Sequence, residues 1–157
     1  MLTASPRRVL IIDDNHGLAE NIAELLQLDG YATQIAASAE EAFPKALENE
    51  PDVVLTDLRL PGISGTVFLR RFLVKREHVR AMVMSAYTDE TTIAEARNAG
   101  AAFMPKPLDL MRLSRWVGEA SAAGRAVRGS RELHEACGQS SWVVEGRAVP
   151  EAGWLLE

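Results

Sequence analysis

The segment Val9-Leu10-Ile11-Ile12-Asp13-Asp14 runs four aliphatic residues straight into two carboxylates. A run with no polar interruption reads as a strand covered on both faces, because a strand with one wet face alternates apolar and polar residues. Asp14-Asn15 then offers a helix cap, Leu18, Ile22, Leu25 and Leu26 follow at helical spacing, and Gly30 stops that helix. A buried strand that feeds a helix after two or three residues is the opening unit of an alternating α/β chain.

The same alternation continues to about residue 124. Tyr31 to Ala36 reads as a second strand, and Ser38 with Glu41 three residues on is a capping-box pattern for the next helix. Val53-Val54-Leu55 is the third strand, and Pro61-Gly62 breaks the chain before a helix bearing Val67, Phe68 and Phe72. Ala81 to Met84 is the fourth strand, followed by a helix from about Thr88 to Asn98 that Gly100 ends. Ala101 to Met104 is the fifth, and Leu108 to about Ala123 the last helix. Five strand–helix repeats with short links predict a doubly wound, five-stranded parallel sheet with helices on both faces. In such sheets the ligand site lies outside the carboxyl ends of the strands.

Bulk properties agree. The chain has 157 residues, 47% hydrophobic and 25% charged, which excludes a disordered acidic chain or a fibre. The longest aliphatic run, Val9 to Ile12, is far short of the ~18–20 residues that span a bilayer, and no signal-peptide pattern opens the sequence. Cys137 stands alone, so no intrachain disulfide forms. A soluble, cytoplasmic protein without membrane contact is expected. The net charge of −5 shows no basic excess of the kind that binds a phosphate backbone, so no direct nucleic-acid binding is expected.

The topology brings Asp13 and Asp14, Asp57, Ser85 and Lys106 to one sheet edge. Carboxylates ~4 Å apart repel by ~4 kcal/mol at an effective dielectric of 20. A divalent cation relieves that repulsion, and hard oxygen ligands with room for waters suit Mg²⁺.

Residues 8–122 resemble the receiver domain of bacterial two-component response regulators. The matching segments are Val9 to Asp14, Asp52-Val53-Val54-Leu55-Thr56-Asp57-Leu58-Arg59-Leu60-Pro61-Gly62, Met84-Ser85-Ala86, and Gly100 to Pro107. The resemblance implies a flavodoxin-like fold for a receiver unit over 1–124. Asp57 would take a phosphoryl group from the phosphohistidine of a sensor histidine kinase or a histidine phosphotransfer protein. Mg²⁺, or Mn²⁺ in its place, would be held by Asp13, Asp14, Asp57 and the backbone carbonyl of Arg59. Lys106 would pair with a phosphoryl oxygen, and Ser85 would move to hydrogen-bond it. Phe103 falls at the switch aromatic, either swinging inward or simply packing the strand end. Lys106-Pro107 would be cis. The protein would be a signalling switch with slow self-dephosphorylation, not a metabolic enzyme.

Several readings stay open. The chain is expected to be a stand-alone regulator, a phosphorelay intermediate or a receiver from a hybrid kinase, without a DNA-binding helical domain after residue 124. A metal-dependent phosphatase with an Asp nucleophile is a rival, but Arg59 stands where such enzymes place an acid/base Asp. Helices four and five with strand five would form an output face and a possible homodimer contact. Residues 125–157 read as a tail, with Gly124, Gly129 and Ser130 as breakers and a hairpin through Glu145-Gly146. It packs on helix five or a second copy, or is a linker. Trp116 either covers the core margin or belongs to an interface. Arg59 and Tyr87 read as surface residues flanking the site. His16 and His78 read as surface residues, the basic cluster from Arg70 to Arg80 as a solvated face, and His134 with Cys137 as too few ligands for a metal.

Overall fold

A computed structural model describes residues 6–135, with side chains through 122. The elements follow in strict alternation: β1 (Arg8–Ile12), α1 (His16–Leu28), β2 (Ala32–Ala36), α2 (Ala39–Asn49), β3 (Val53–Asp57), α3 (Gly65–Phe72), β4 (Arg80–Ser85), α4 (Glu90–Asn98), β5 (Ala102–Pro105) and α5 (Leu110–Glu135). All strands are parallel, in the order β2-β1-β3-β4-β5. The order reverses between β1 and β3, so the carboxyl ends of those two strands flank the crevice where such sheets bind ligands.

The strand periodicity sorts the core into two layers. Leu10, Ile12, Val54 and Val83 face one side with Phe43, Phe68, Leu69 and Phe72, and Val9, Ile11, Leu55, Met82 and Met84 face the other with Ile22, Leu26, Leu113 and Val117. Both faces of the three central strands are therefore dry, which is why β1 and β3 carry continuous apolar runs.

Local signals act as expected. Asn15 caps α1 by accepting from Leu18 N–H, and Gly30 follows that helix at φ 92°. Ser38 caps α2 by accepting from Glu41 N–H, while the Glu41 carboxylate turns back to the N–H of Ala37, one residue before the cap. Gly62, at φ 81°, makes the turn before α3 that an L side chain resists.

Two expectations are corrected. The last helix does not stop at Ala123: α5 continues through Gly124, Gly129 and Ser130 to Glu135. A glycine costs a helix interior only ~1 kcal/mol, and Ala, Arg, Glu and Leu around these residues are strong helix formers. Leu110 is exposed, leaving Leu113, Val117 and Ala120 as the buried stripe, with Trp116 partly buried at its margin as a cover for the core. His78 is buried, not on the surface, because the hydrogen bonds from Arg76 N–H to Leu73 O and from Val79 N–H to Arg76 O fold the α3–β4 link back on itself. His16 is exposed as expected. The tail hairpin, Trp142, Trp154 and Cys137 lie outside the described residues.

Candidate functional site

Two strand ends place three carboxylates together. Asp13 follows β1, Asp14 is the next residue, and Asp57 ends β3; each offers an oxygen within 4.8 Å of the others. Asp13 is fully buried, Asp57 half-buried and Asp14 exposed, so the cluster grades from the protein interior to solvent.

The cation at this edge comes from the far side of the sheet. Lys106, just past β5, places Nζ 2.9 Å from Oδ2 of Asp13 and 3.2 Å from Oδ2 of Asp57. Its backbone N–H donates to Ser85 O at 2.8 Å, and the Lys106–Pro107 bond is cis. Burial pulls the Lys106 ammonium down, but the hydrogen bond to Asp13 and the charges of Asp13 and Asp57 outweigh it and hold the group above its ordinary value. Burial pushes the Asp57 carboxyl above its ordinary value; Lys106 pulls it back and the charge of Asp13 adds to the rise. Three carboxylates facing one ammonium carry a formal net charge of −2. This hard-oxygen set fits a divalent cation such as Mg²⁺.

The other oxygens of Asp13 and Asp57 are held by backbone donors. Asp13 Oδ1 accepts from Asn15 N–H at 2.9 Å, and Asp57 Oδ1 from Arg59 N–H at 3.3 Å. Ser85 is fully buried at the end of β4, where its Oγ accepts from Tyr87 N–H at 3.0 Å. Phe103, opposite Val83 in the β4–β5 register, is partly buried against the α3 side of the core. The structure thus brings Asp13, Asp14, Asp57, Ser85 and Lys106 to one edge, and keeps Phe103 one strand position away from Met104 on the opposite face of β5.

The Arg59 guanidinium lies 4.4 Å above the ring of Tyr87, joining the two links that carry Asp57 and Ser85. Such a pair at an exposed site is worth ~0.5–1 kcal/mol. Gly65, which no sequence motif marks as a site residue, makes the tightest approach near the site. A Cβ there would stand 2.1 Å from the Asp57 carbonyl oxygen and 2.7 Å from Thr56 Oγ1. Its one sequence signal is a glycine directly after a Ser cap; that its φ is not left-handed shows that the glycine serves a close backbone approach.

The response regulator receiver domain model matches residues 9–117. Sporulation initiation phosphotransferase F of Bacillus subtilis is 34% identical over 104 residues, covering 66% of this chain and 84% of that protein. Regulatory protein AtoC of Escherichia coli is 30% identical over 86% of this chain, but that match spans only 29% of AtoC. Among solved structures, a CheY-like receiver domain protein from Methanospirillum hungatei superposes with a TM-score of 0.71 at 28% identity, covering 78% of this chain and 98% of that one.

Proposed function

We propose, for a chain that belongs to the response regulator receiver domain family of two-component systems, that Asp57 is the phosphoacceptor. Receiver domains work with histidine kinases or phosphotransfer proteins as signalling switches. Here a phosphohistidine of such a partner is the donor. An Asp57 carboxylate oxygen attacks phosphorus, the N–P bond breaks, and the imidazole leaves with the electron pair as the acyl phosphate forms.

The observation that carries this reading is the graded carboxylate cluster facing Lys106. Catalysis of phosphoryl transfer is mostly positioning and electrostatics. The Arg59 N–H orients one Asp57 oxygen, and the Lys106 ammonium stands close enough to pass from carboxylate to phosphoryl oxygen. Ser85 Oγ uses a lone pair for Tyr87 N–H and keeps its own proton to donate to the phosphoryl group. Asp13, Asp14, Asp57 and the Arg59 carbonyl are the ligands we assign to Mg²⁺, with Mn²⁺ as a substitute. When bound, the ion supplies neutralisation of the charge on the transferring group. Turning of Ser85 and inward movement of Phe103 then alter the α4–β5–α5 surface, the face we assign to output or pairing with a second copy.

A phosphorelay intermediate, receiving and passing on the phosphoryl group, is the second reading. It rests on the similarity to sporulation initiation phosphotransferase F, most of whose length the chain covers. Acetyl phosphate with Mg²⁺, followed by intact-mass analysis, tests the common step. One added phosphoryl group on the wild type and none on Asp57→Asn is expected; equal labelling of both overturns the assignment.

A further inference from the structure

Away from the carboxylates, a chain of hydroxyls ties α3 to α4. Thr66, fully buried in the first turn of α3, donates its hydroxyl proton to Oε1 of Glu95 on α4 at 2.6 Å. Ser64 Oγ lies 3.2 Å from Thr66 Oγ1. A threonine hydroxyl has one proton, and that proton goes to Glu95, so Ser64 is the donor in this pair. Ser64 Oγ also accepts Val67 N–H as the cap of α3. The chain therefore runs one way, from the helix cap through Thr66 to a carboxylate, and its last link is of the short charge-assisted kind.

This tie begins next to the backbone of Asp57. Gly65, between Ser64 and Thr66, abuts the Asp57 carbonyl and donates its N–H to Leu58 O at 3.0 Å. The first turn of α3 is thus braced on the end of β3, and Thr66 carries the brace across to α4. The other end of α4 is joined to Ser85: its cap, Asp89, stands two residues after Tyr87, whose N–H holds Ser85 Oγ.

We propose that the Thr66–Glu95 bond is a brake that holds α4 in its phosphate-free position, with both residues acting as positioning residues for the Asp57 reaction. The proposal rests on the reading of Asp57 as phosphoacceptor. When Ser85 turns toward a phosphoryl group it releases Tyr87 N–H, and the link into α4 is drawn along. Glu95 resists that shift as long as it holds Thr66. A ligand that favours the shifted state must therefore supply the free energy of the broken bond, and removing the bond strengthens the binding of that ligand.

The test compares the full chain with Thr66→Val, which keeps the shape and removes the donor, and with Glu95→Ala and Glu95→Gln. Two quantities are read: beryllofluoride affinity in the presence of Mg²⁺, and hydrogen exchange of residues 90–98 without either ligand. Thr66→Val and Glu95→Ala should bind beryllofluoride about tenfold more tightly, the size of one hydrogen bond to a charged group. Both should exchange faster over 90–98, whereas Glu95→Gln, which keeps an acceptor oxygen but loses the charge, should fall between them and the wild type. Faster exchange with unchanged or weaker affinity would make the bond merely structural and overturn the brake. Unchanged exchange in both cut variants would overturn the tie itself. A wild type that binds no beryllofluoride would instead defeat the Asp57 reading, which the exchange measurement does not depend on.

Discussion

Lys106 Nζ stands 2.9 Å from Oδ2 of Asp13, nearer than its 3.2 Å to Asp57. The ammonium therefore leans on the most buried carboxylate of the cluster and only shares Asp57. On the proposed reading, that leaves Lys106 able to follow charge outward when a phosphoryl group arrives, without abandoning a fixed partner on Asp57.

Lys106→Ala should destabilise the fold by about 3 kcal/mol in metal-free buffer, the usual cost of stripping one partner from a buried ion pair. Asp13 would keep only the Asn15 N–H. Because the Lys106 pKa is raised, its stabilisation is complete below the ordinary lysine range and fades only as pH rises through the folded value, so the deficit should be flat across neutral pH. Urea unfolding at several pH values checks this, and Mg²⁺ should narrow the gap.

Asp57→Asn should raise thermal stability at neutral pH when no divalent metal is present. The folded state holds the Asp57 carboxyl above its ordinary value, so the wild type carries an ionisation penalty at all pH above that folded value. The advantage of the variant should shrink as pH falls toward ~4, the ordinary carboxylate range, where both states become protonated. Adding Mg²⁺ should reverse the order, because the wild type gains a ligand that the variant has lost. Thermal melts with and without metal read both effects.

Gly65→Ala should be more damaging than its chemistry suggests. A methyl group 2.1 Å from the Asp57 carbonyl oxygen forces backbone to move, at a cost of about 3 kcal/mol or more. Phosphoryl labelling should fall with stability, whereas Gly17→Ala, whose nearest Cβ contact is 3.6 Å from an Asn15 side-chain oxygen, should leave labelling intact.

Ser85→Ala should still accept a phosphoryl group but fail to pass the event to Phe103. A fluorine label on the Phe103 ring, followed by NMR on adding beryllofluoride and Mg²⁺, should shift in the wild type and stay still in the variant. Loss of labelling in Ser85→Ala would place the residue in the chemistry instead.

Much of this molecule is legible in its sequence. Short runs such as Val9 to Ile12, with β-branched residues, read as strands with two dry faces, and caps at Asn15 and Ser38 fix where helices begin, because both signals are local and act within a few residues. Once five such units alternate, right-handed crossovers leave one sheet edge for Asp13, Asp57, Ser85 and the Lys106 link. The end of α5 is not legible in the sequence, because the weak penalty of a helical glycine is overridden by its helix-forming neighbours.

Tertiary structure alone decided the contacts between those units. Lys106 and Asp13 are 93 positions apart, Thr66 and Glu95 29 apart, and the approach of Gly65 to Asp57 is made by backbone. Sequence periodicity specifies which face or edge a residue occupies. The last few ångströms, which separate a neighbour from a hydrogen-bond partner, are set by sheet twist and by how helices seat on it. Those depend on the packing of every core side chain at once.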